Sequence, residues 1–349
     1  MRRVEILLRW LNVLIVLTTF VAYLSPFVSP ESIWFVSLFG TAYPWLLFGN
    51  ITMVAVWIGM KKKYFLFSLA CIIMGWNHLN GFVGLHFAAS KPSDQSVNVM
   101  TFNTHDFPSM KAGYRKIDIV KAKEIFEFMQ KKGSPDILCV QEIDDFHVQP
   151  ILDHFGYKDY YKIKYYGTAI FSKYPISQKG RIEFDIKVNS CLWADIVIKD
   201  QTIRVYSLHL QSNSVSNVTE KVMSEGQFKE KETWSDIRTI FSRFKNTSKI
   251  RARQAKTIAQ HIAASPYPVI VCGDLNETPQ SYAYRLIAEN LNDTFKEKGR
   301  GLGTTYSGSI PALRIDYILC DPRFKINSNL ILKKNYSDHY PVFSTISLN

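Results

Sequence analysis

Polar residues that could hydrolyse an ester stand at the ends of short apolar segments in the second part of this sequence. Carboxylate and amide oxygens are the ligands that Mg²⁺ prefers, and a histidine paired with a carboxylate can hold a proton near neutral pH. These residue types could together support metal-assisted hydrolysis. The residues are Asn103 in VNVMTFN, Glu142 in DILCVQE, His209 in IRVYSLH, Asp274 and Asn276 in PVIVCGDLN, Asp316 in LRIDYIL, and Asp338 and His339 in NYSDHYPV.

Each of these residues has a structural alternative, because Asn and Asp after a strand commonly form turns or cap helices. The series as a whole favours function. Clefts at one edge of a sheet are built when consecutive strand ends each carry a polar side chain. The sequence therefore predicts that these residues converge in one cleft.

The elements that must position them alternate between strands and helices. Helices are predicted over residues 114–132 and 251–264, and the second has small and apolar residues at the spacing of one buried face. This alternation predicts an α/β sandwich of sheets covered by helices. The predicted strands are Val97–Asn103, Ile137–Ile143, Thr168–Phe171, Ile203–Leu210, Pro268–Gly273, Ile315–Cys320 and Val342–Leu348.

Residues 213–250 are polar and are predicted to form an exposed insertion after the strand that ends near Leu210. Five large apolar residues could give the insertion an amphipathic face that touches a membrane or covers the substrate. A helix packed on its own domain is the preferred interpretation. The apolar residues are Phe228, Trp234, Ile240, Phe241 and Phe244.

Charge and composition divide the chain near residue 90. The chain has a net charge of +12, and the apolar and aromatic stretch 1–90 contains six basic and two acidic residues. Residues 91–349 have globular composition, and their basic balance favours anionic partners without choosing among them. We predict an anchor over 1–90 and a catalytic domain over 91–349.

The five cysteines indicate neither a zinc site nor a disulfide framework, because they are odd in number and form no CxxC pair. Cys139, Cys272 and Cys320 lie inside apolar segments. A free cysteine in such a segment usually serves as a small buried apolar residue.

Three apolar stretches in the anchor are long enough to cross a bilayer as helices: 7–28, 33–60 and 64–89. The third is interrupted by Asn77, His78 and Asn80. Three spans are predicted, with a cleaved signal peptide as the alternative for the first stretch.

Positive charges predict the orientation, because Lys and Arg near the ends of spans stay on the cytoplasmic side. Arg2 and Arg3 precede the first stretch, and Lys61–Lys63 separate the second from the third. With three spans the catalytic domain lies outside the cytoplasm, attached to the inner membrane by a multi-pass anchor. With two spans it lies in the cytoplasm.

The ordered segments TFN, VQE, GTAIFSKYPI, SLH, GDLN, RIDYI and SDHYPV resemble the endonuclease/exonuclease/phosphatase family, which has the DNase I-like fold. The resemblance extends over nearly all of residues 97–348. It implies a four-layered α/β sandwich and a divalent-metal-dependent enzyme that hydrolyses phosphate esters with Mg²⁺ or Mn²⁺ as cofactor.

The resemblance also implies roles by position. Glu142 would be the principal metal ligand, assisted by Asn103 and Asp338. Asp274 would orient or deprotonate water, and Asn276 would hold a phosphate oxygen. His339, oriented by Asp316, would contact the phosphate. His209 matches a histidine of the DNase I and sphingomyelinase branches that acts on the leaving oxygen.

Two enzymatic functions and one non-enzymatic function remain open on sequence alone. The first is a membrane-anchored phosphodiesterase or phosphatase acting on a lipid headgroup or another phosphate ester in contact with the bilayer. The second is a membrane-tethered nuclease acting on DNA or RNA. An inactive binding module is disfavoured by the intact series of polar residues. No protein partner is inferred, and neither a GK[ST] phosphate loop nor a GxSxG elbow is present.

Overall fold

The computed structural model describes residues 2–86, 93, 95–113, 116–184, 189–213, 231–308 and 310–348. The helices in these residues are α1 (Arg2–Leu24), α2 (Pro30–Thr41), α3 (Tyr43–Gly59), α4 (Phe65–Met74), α5 (Trp76–Leu79), α6 (Ile119–Gln130), α7 (Val148–Phe155), α8 (Lys231–Ala263), α9 (Tyr282–Ile287) and α10 (Thr294–Lys298). The strands are β1 (Val83–Leu85), β2 (Ser96–Asn103), β3 (Lys111–Gly113), β4 (Lys116–Ile117), β5 (Ile137–Asp144), β6 (Asp159–Lys162), β7 (Tyr166–Ser172), β8 (Ile176–Ile182), β9 (Ser190–Ile198), β10 (Gln201–His209), β11 (Val269–Asp274), β12 (Asn292–Asp293), β13 (Arg300–Leu302), β14 (Asp316–Cys320), β15 (Lys325–Ile331) and β16 (Val342–Ser347).

Two six-stranded sheets form the centre of the second part of the chain. One has the order β12-β14-β11-β10-β9-β8, and the other has the order β15-β16-β2-β5-β7-β6. Each sheet contains one parallel pair, β10 with β11 and β2 with β5, among antiparallel neighbours. The carboxyl ends of parallel strands meet at one edge of a sheet, so each pair brings two strand ends together.

The sheets pack face to face, and helices cover both outer faces. The core between the sheets joins Val99 and Ile137 of one sheet to Val205 and Ile270 of the other. Helices α6 and α7 pack on the sheet that contains β2 and β5. Helices α8 and α9 pack on the sheet that contains β10 and β11. The result is the α/β sandwich predicted from the sequence, with four layers.

The predicted strands are confirmed, and their ends differ from the observed ones by no more than two residues. Both predicted helices differ in length from the observed ones. Helix α6 begins at Ile119 because the carboxylate of Asp118 caps it, accepting the backbone N–H groups of Val120 and Lys121. Helix α8 begins at Lys231, twenty residues earlier than predicted. The predicted buried cysteines are confirmed, since all five are free and buried.

The prediction of three full-length membrane spans is wrong. The first stretch does form an apolar helix long enough to cross a bilayer, Arg3–Phe27. The second is divided into α2 and α3 by a bend of 47°, and the third contains α4, an apolar helix of ten residues. Pro44 lies in the first turn of α3, and Gly75 follows the last residue of α4. A hydropathy average over a stretch of sequence does not detect these helix ends.

The helices of the first part form a bundle with two distinct ends. At one end Lys62 lies 3.1 Å from Glu5, and the Arg9 guanidinium stacks on Tyr64. At the other end Ala22, Tyr43 and Phe82 form an apolar cluster beside the catalytic part of the chain. The basic residues between α3 and α4 therefore lie at the end of the bundle opposite to the sandwich.

The described part of the predicted insertion, from 231, is helical and packs on the molecule. Phe244 is buried, whereas Trp234 and Phe241 are exposed. Helix α8 also contacts α2, and Arg253 pairs with Glu31 at 3.0 Å. Residues 214–230, including Phe228, lie outside the described residues.

Candidate active site

The two sheets bring their strand ends together at one edge of the sandwich. His209 pairs with Asp274 across the parallel strands, and Asp274 pairs with Asp316 on its other side. On the second sheet Asn103 is in register with Gln141, the residue before Glu142. The side chain of Asn103 bridges the sheets, because its Nδ2 donates to Glu142 and to Asp274, both at 3.0 Å.

A glycine allows the close approach of β10 and β11 directly before Asp274. Gly273 has φ +140°, and a Cβ atom there would lie 2.0 Å from the carbonyl oxygen of Leu208. Only glycine fits this position without moving the backbone of β10. The GD pair in GDLN therefore places Asp274 against the end of β10.

Asp274 is buried and accepts several hydrogen bonds. The backbone N–H of Asn276 donates to Oδ1 at 2.7 Å, and its side-chain Nδ2 donates to Oδ2 at 3.1 Å. Burial raises the pKa of Asp274 to about 6, with a further contribution from Asp316 that His339 and His209 oppose. The carboxylate is therefore poised to accept a proton near neutral pH.

His339 lies between two carboxylates. Its Nδ1 is 2.9 Å from Oδ2 of Asp316, and its Nε2 is 3.8 Å from Oδ2 of Asp274. Burial lowers the pKa of His339, but the two carboxylates more than offset this and raise it to about 10. The imidazole is thus held protonated, with Nδ1–H donated to Asp316 and Nε2–H directed toward the cavity side of Asp274.

Ser337 fixes the segment that carries His339. Its hydroxyl donates to the backbone oxygen of Asn103 at 2.9 Å and accepts the backbone N–H of His339 at 3.2 Å. The SDH sequence is therefore tied to the end of β2.

His209 contributes a second imidazole on the opposite side of Asp274. Its Nε2 lies 3.5 Å from Oε1 of Glu142 and 3.8 Å from Oδ2 of Asp274. This nitrogen is buried and makes no hydrogen bond within the described part of the chain. A buried polar atom without a partner, aimed into a cleft, suits an oxygen of a ligand.

Glu142 is held by three different groups. Tyr166 donates its hydroxyl to Oε2 at 2.7 Å, and Asn103 donates to Oε1. Burial raises the pKa of Glu142, but His209 and these two donors outweigh it, so the pKa is lowered. The backbone of Glu142 has φ +56°. This left-handed conformation costs conformational energy for any residue other than glycine.

His105 and Asp338 complete the rim near Glu142. Nδ1 of His105 lies 3.7 Å from Oε2 of Glu142 and 3.6 Å from Oδ1 of Asp338. The two carboxylates thus flank one point at the mouth of the cleft. Hard oxygen donors of this kind suit Mg²⁺ or Mn²⁺, which keep several waters and need few protein ligands.

A second group, formed by Asp274, Asp316 and His339, also has three possible ligand atoms within 4.8 Å of one another. It is a poor metal site on chemical grounds. Nδ1 of His339 is engaged by Asp316, and the neighbouring carboxylates raise the pKa of His339, whereas a metal-binding imidazole must be neutral. The carboxylates of Glu142 and Asp338 fit a hard divalent cation better. Asn103 lies behind them, and its Oδ1 accepts the backbone N–H of His105 at 3.2 Å.

These groups surround a cavity of about 350 Å³. All eight residues predicted from the sequence are brought together, six of them on the cavity wall and two behind it. Asn103 and Asp316 are buried and support Asp274 and His339 from behind. The wall residues of the predicted set are Glu142, His209, Asp274, Asn276, Asp338 and His339.

Sequence reasoning missed His105 and Tyr166, which line the same cavity. Each stands beside a recognised segment: His105 follows TFN by two positions, and Tyr166 directly precedes GTAIFS. A scan of the residues flanking each segment would have found both. Only the structure shows that their side chains reach Glu142.

The fold and this set of side chains define a class of hydrolase. The chain matches the endonuclease/exonuclease/phosphatase family over residues 100–339 and belongs to it. Enzymes of this family depend on divalent metal ions and hydrolyse phosphoester bonds, so the protein is a phosphoester hydrolase. Residues 5–82 match a separate domain of unknown function (DUF8431).

Individual relatives share the fold at low identity. Mouse Nocturnin is 29% identical over 173 residues, which cover 46% of this chain and only 38% of Nocturnin. A structure of Danio rerio TDP2 with a single-strand DNA product has a TM-score of 0.52 at 16% identity, covering 72% of this chain and 99% of that one. A mannosyl-6-phosphatase from Bacteroides thetaiotaomicron has a TM-score of 0.51 at 17% identity, with coverage of 72% and 99%.

Proposed function

We propose that the protein is a membrane-anchored, divalent-metal-dependent phosphoesterase that hydrolyses a phosphodiester or a phosphomonoester by attack of water. The observation that carries this proposal is the network around Asp274, in which His209, His339 and Asn103 all lie within 3.8 Å of one carboxylate oxygen. Each group in it matches a need of phosphoester hydrolysis. No covalent nucleophile is required.

The metal site in this proposal consists of carboxylate oxygens from Glu142 and Asp338, and Asn103 assists by holding Glu142 through the hydrogen bond from its Nδ2. When bound, Mg²⁺ or Mn²⁺ offsets the negative charge that develops on the phosphate oxygens. The donation by Tyr166 and Asn103 keeps Glu142 ionised, as a ligand must be.

The remaining residues handle protons and hold the phosphate. Asp274 orients the attacking water and accepts its proton, because the raised pKa of this buried carboxylate suits a general base. His339 presents an N–H to a phosphate oxygen while Asp316 fixes its ring. Asn276 holds another phosphate oxygen through its side-chain amide. His209 acts at the leaving oxygen through Nε2, which has no hydrogen-bond partner among the described residues.

The membrane anchor in this proposal is the helical bundle. Helix α1 is long and apolar enough to cross a bilayer, and the bent pair α2–α3 passes the same test as one broken span. Many large apolar side chains of the bundle are exposed, including Leu7, Trp10 and Phe48. Exposed surface of this kind suits lipid rather than water.

The orientation follows from the two ends of the bundle. Lys62, Arg9 and their neighbours lie at the end away from the sandwich, and positive charge near helix ends stays in the cytoplasm. The proposal therefore places the catalytic domain on the outer face of the inner membrane.

A nuclease is the second candidate. The chain carries a net charge of +12, which favours a polyanion, and the related TDP2 structure contains a DNA product. The helical bundle that borders the catalytic part of the chain favours the first candidate.

Hydrolysis by the purified full-length protein tests the proposal. A generic phosphodiester, a phosphomonoester, plasmid DNA, RNA and phospholipid vesicles are compared with Mg²⁺ or EDTA, beside Asp274→Ala. Cleavage that requires metal and disappears in the variant supports the proposal. Cleavage of nucleic acid alone, with a steep dependence on salt, supports the nuclease instead. Equal rates with and without metal contradict both candidates.

A further inference from the structure

One wall of the active-site cavity belongs to the helical bundle. Thr41, the last residue of α2, lines the cavity together with Asp274 and His339. Helix α3 starts two residues later, at Tyr43, after the bend of 47°. The bundle is therefore part of the site's surface and does more than attach the domain to a membrane.

Buried hydrogen bonds fix this contact. The hydroxyl of Thr278 donates to the backbone oxygen of Gly40 at 3.3 Å, and the side-chain amide of Gln280 donates to the backbone oxygen of Ala22 at 2.9 Å. A Cβ atom on Gly40 would lie 2.4 Å from the backbone oxygen of Gln280, so the glycine permits the approach. The segment that follows Asp274 and Asn276 thus rests directly on the bundle.

In the proposed anchor, Thr41 and the adjoining cavity lie at the level of the bilayer surface. Helix α3 has seventeen residues and no charged side chain, and at 1.5 Å per residue it is about 26 Å long. This length approaches the hydrocarbon thickness of about 30 Å. Trp45, exposed and four residues after Thr41, has the side chain typical of the boundary between lipid and water.

Helix α8 extends the same surface beside α2. Trp234 and Phe241 are exposed and are separated by seven residues, which places them on one face of the helix. Lys245 lies 5.9 Å from the ring of Trp34 in α2. Exposed aromatic residues beside a cation suit contact with lipid headgroups.

The cavity itself has both a polar and an apolar part. The groups around Asp274 can bind a phosphate, whereas Ile310, Leu313 and Ile315 line the same cavity without offering a polar side chain. A phosphate ester of a small polar alcohol would bury no apolar surface against these residues. An ester with an apolar chain would bury that chain on it.

We propose that the substrate is an amphiphilic phosphate ester that stays in the membrane, such as a phospholipid, and that Thr41, Ile310 and Leu313 determine this specificity. The phosphate lies among the residues around Asp274, and the apolar chain leaves the cavity past Thr41 toward the bilayer. This inference rests on the proposed function and adds the substrate class.

Esters that differ only in chain length test the inference. The full-length protein in lipid nanodiscs is given methyl and decyl p-nitrophenyl phosphodiesters, and methyl and decyl phosphate monoesters, with Mg²⁺. We expect kcat/KM to be at least tenfold higher for the decyl member of the pair that is cleaved. Equal or lower values for the decyl ester would overturn the inference while leaving the phosphoesterase intact.

Two variants distinguish a loss of chain-length specificity from a general loss of activity. Thr41→Trp fills the exit and Ile310→Glu makes the wall polar; each is expected to lower the decyl-to-methyl ratio of kcat/KM to about one. Thr52→Trp, on the exposed face of α3, is the matched control and should keep the preference. Loss of both activities to the same degree in both variants would contradict the inference. Failure of the unaltered protein to cleave any ester would instead overturn the proposed function, and the inference with it.

Discussion

At the scale of single residues, the site is governed by which groups face each carboxylate. Glu142 receives hydrogen bonds from Tyr166 and Asn103, and these donors favour its ionised form. Asp274 is more deeply buried and has a raised pKa. Two carboxylates in one cavity are thereby prepared for different tasks, one for binding a cation and the other for accepting a proton.

Replacing Glu142 by Gln should remove metal binding. The variant keeps the shape and one acceptor oxygen but loses the negative charge that a hard cation requires. Loss of a residue that hydrogen-bonds to a metal ligand typically lowers metal affinity by roughly 10- to 100-fold. Loss of the ligand itself should lower the affinity for Mn²⁺ by more than this. Isothermal titration measures it. Glu127→Gln, on the exposed face of α6, is the control, and equal Mn²⁺ affinity in both variants would exclude Glu142 as the ligand.

Replacing Asp316 by Asn should release the proton of His339 near neutral pH. The raised pKa of His339 contributes stability below its ordinary value of about 6.5, and this contribution is lost as the pH rises through about 10. Without Asp316 the ring should titrate well below pH 10 in an NMR experiment. Activity at pH 7.5 should fall by about 10²- to 10⁴-fold. An unchanged titration of His339 would show that Asp316 does not control its charge.

At the scale of elements, helix α8 connects the loops that border the site. Arg251 is fully buried; it donates Nε to Glu277 at 2.7 Å and Nη1 to the backbone oxygen of Gln211 at 2.8 Å. Glu277 and Gln211 both line the cavity. The helix therefore supports two walls of the active site through a single guanidinium group.

Arg251→Met should destabilise the protein by about 3–5 kcal/mol, because it leaves the buried carboxylate of Glu277 without its partner. Arg253 lies two residues away on the same helix and pairs with Glu31 in an exposed position. Arg253→Met should therefore cost at most about 1 kcal/mol. Denaturant midpoints of both variants provide the measurement. Equal midpoints would show that the buried pair contributes no more than the exposed one.

At the scale of the whole molecule, the bundle and the sandwich are joined by polar contacts as well as by the chain. Arg314 donates to the backbone oxygen of Gly81 at 2.7 Å, and β1 pairs with β13. These contacts fix the position of the cavity relative to the bundle. If the bundle spans a membrane as proposed, its orientation determines which compartment the active site faces.

A reporter that works only outside the cytoplasm should be active when fused after Asn349. The reason is that the basic residues lie at the end of the bundle opposite to the sandwich. Activity of a matched cytoplasmic reporter, with silence of the first, would place the catalytic domain inside. Retention of the chain in membranes after an alkaline carbonate wash checks the anchor itself.

The sequence by itself determined the strands and the polar residues at their ends. Strand periodicity and the sharp change from apolar to polar residues are local properties, so β2, β5, β10, β11, β14 and β16 could be predicted with their terminal side chains. Asn103, Asp274 and His339 could be assigned to one cleft because each stands at a strand end and lies in a segment that resembles the endonuclease/exonuclease/phosphatase family.

Only the tertiary structure decided what lies beside those residues. The bend between α2 and α3, the placement of Thr41 on the cavity wall and the reach of Tyr166 to Glu142 all depend on packing between segments distant in the chain. Hydropathy averaged along the chain could not distinguish three full spans from this bent and shortened bundle. Local sequence specifies which residues form an element, whereas contacts between elements determine which of them share a site.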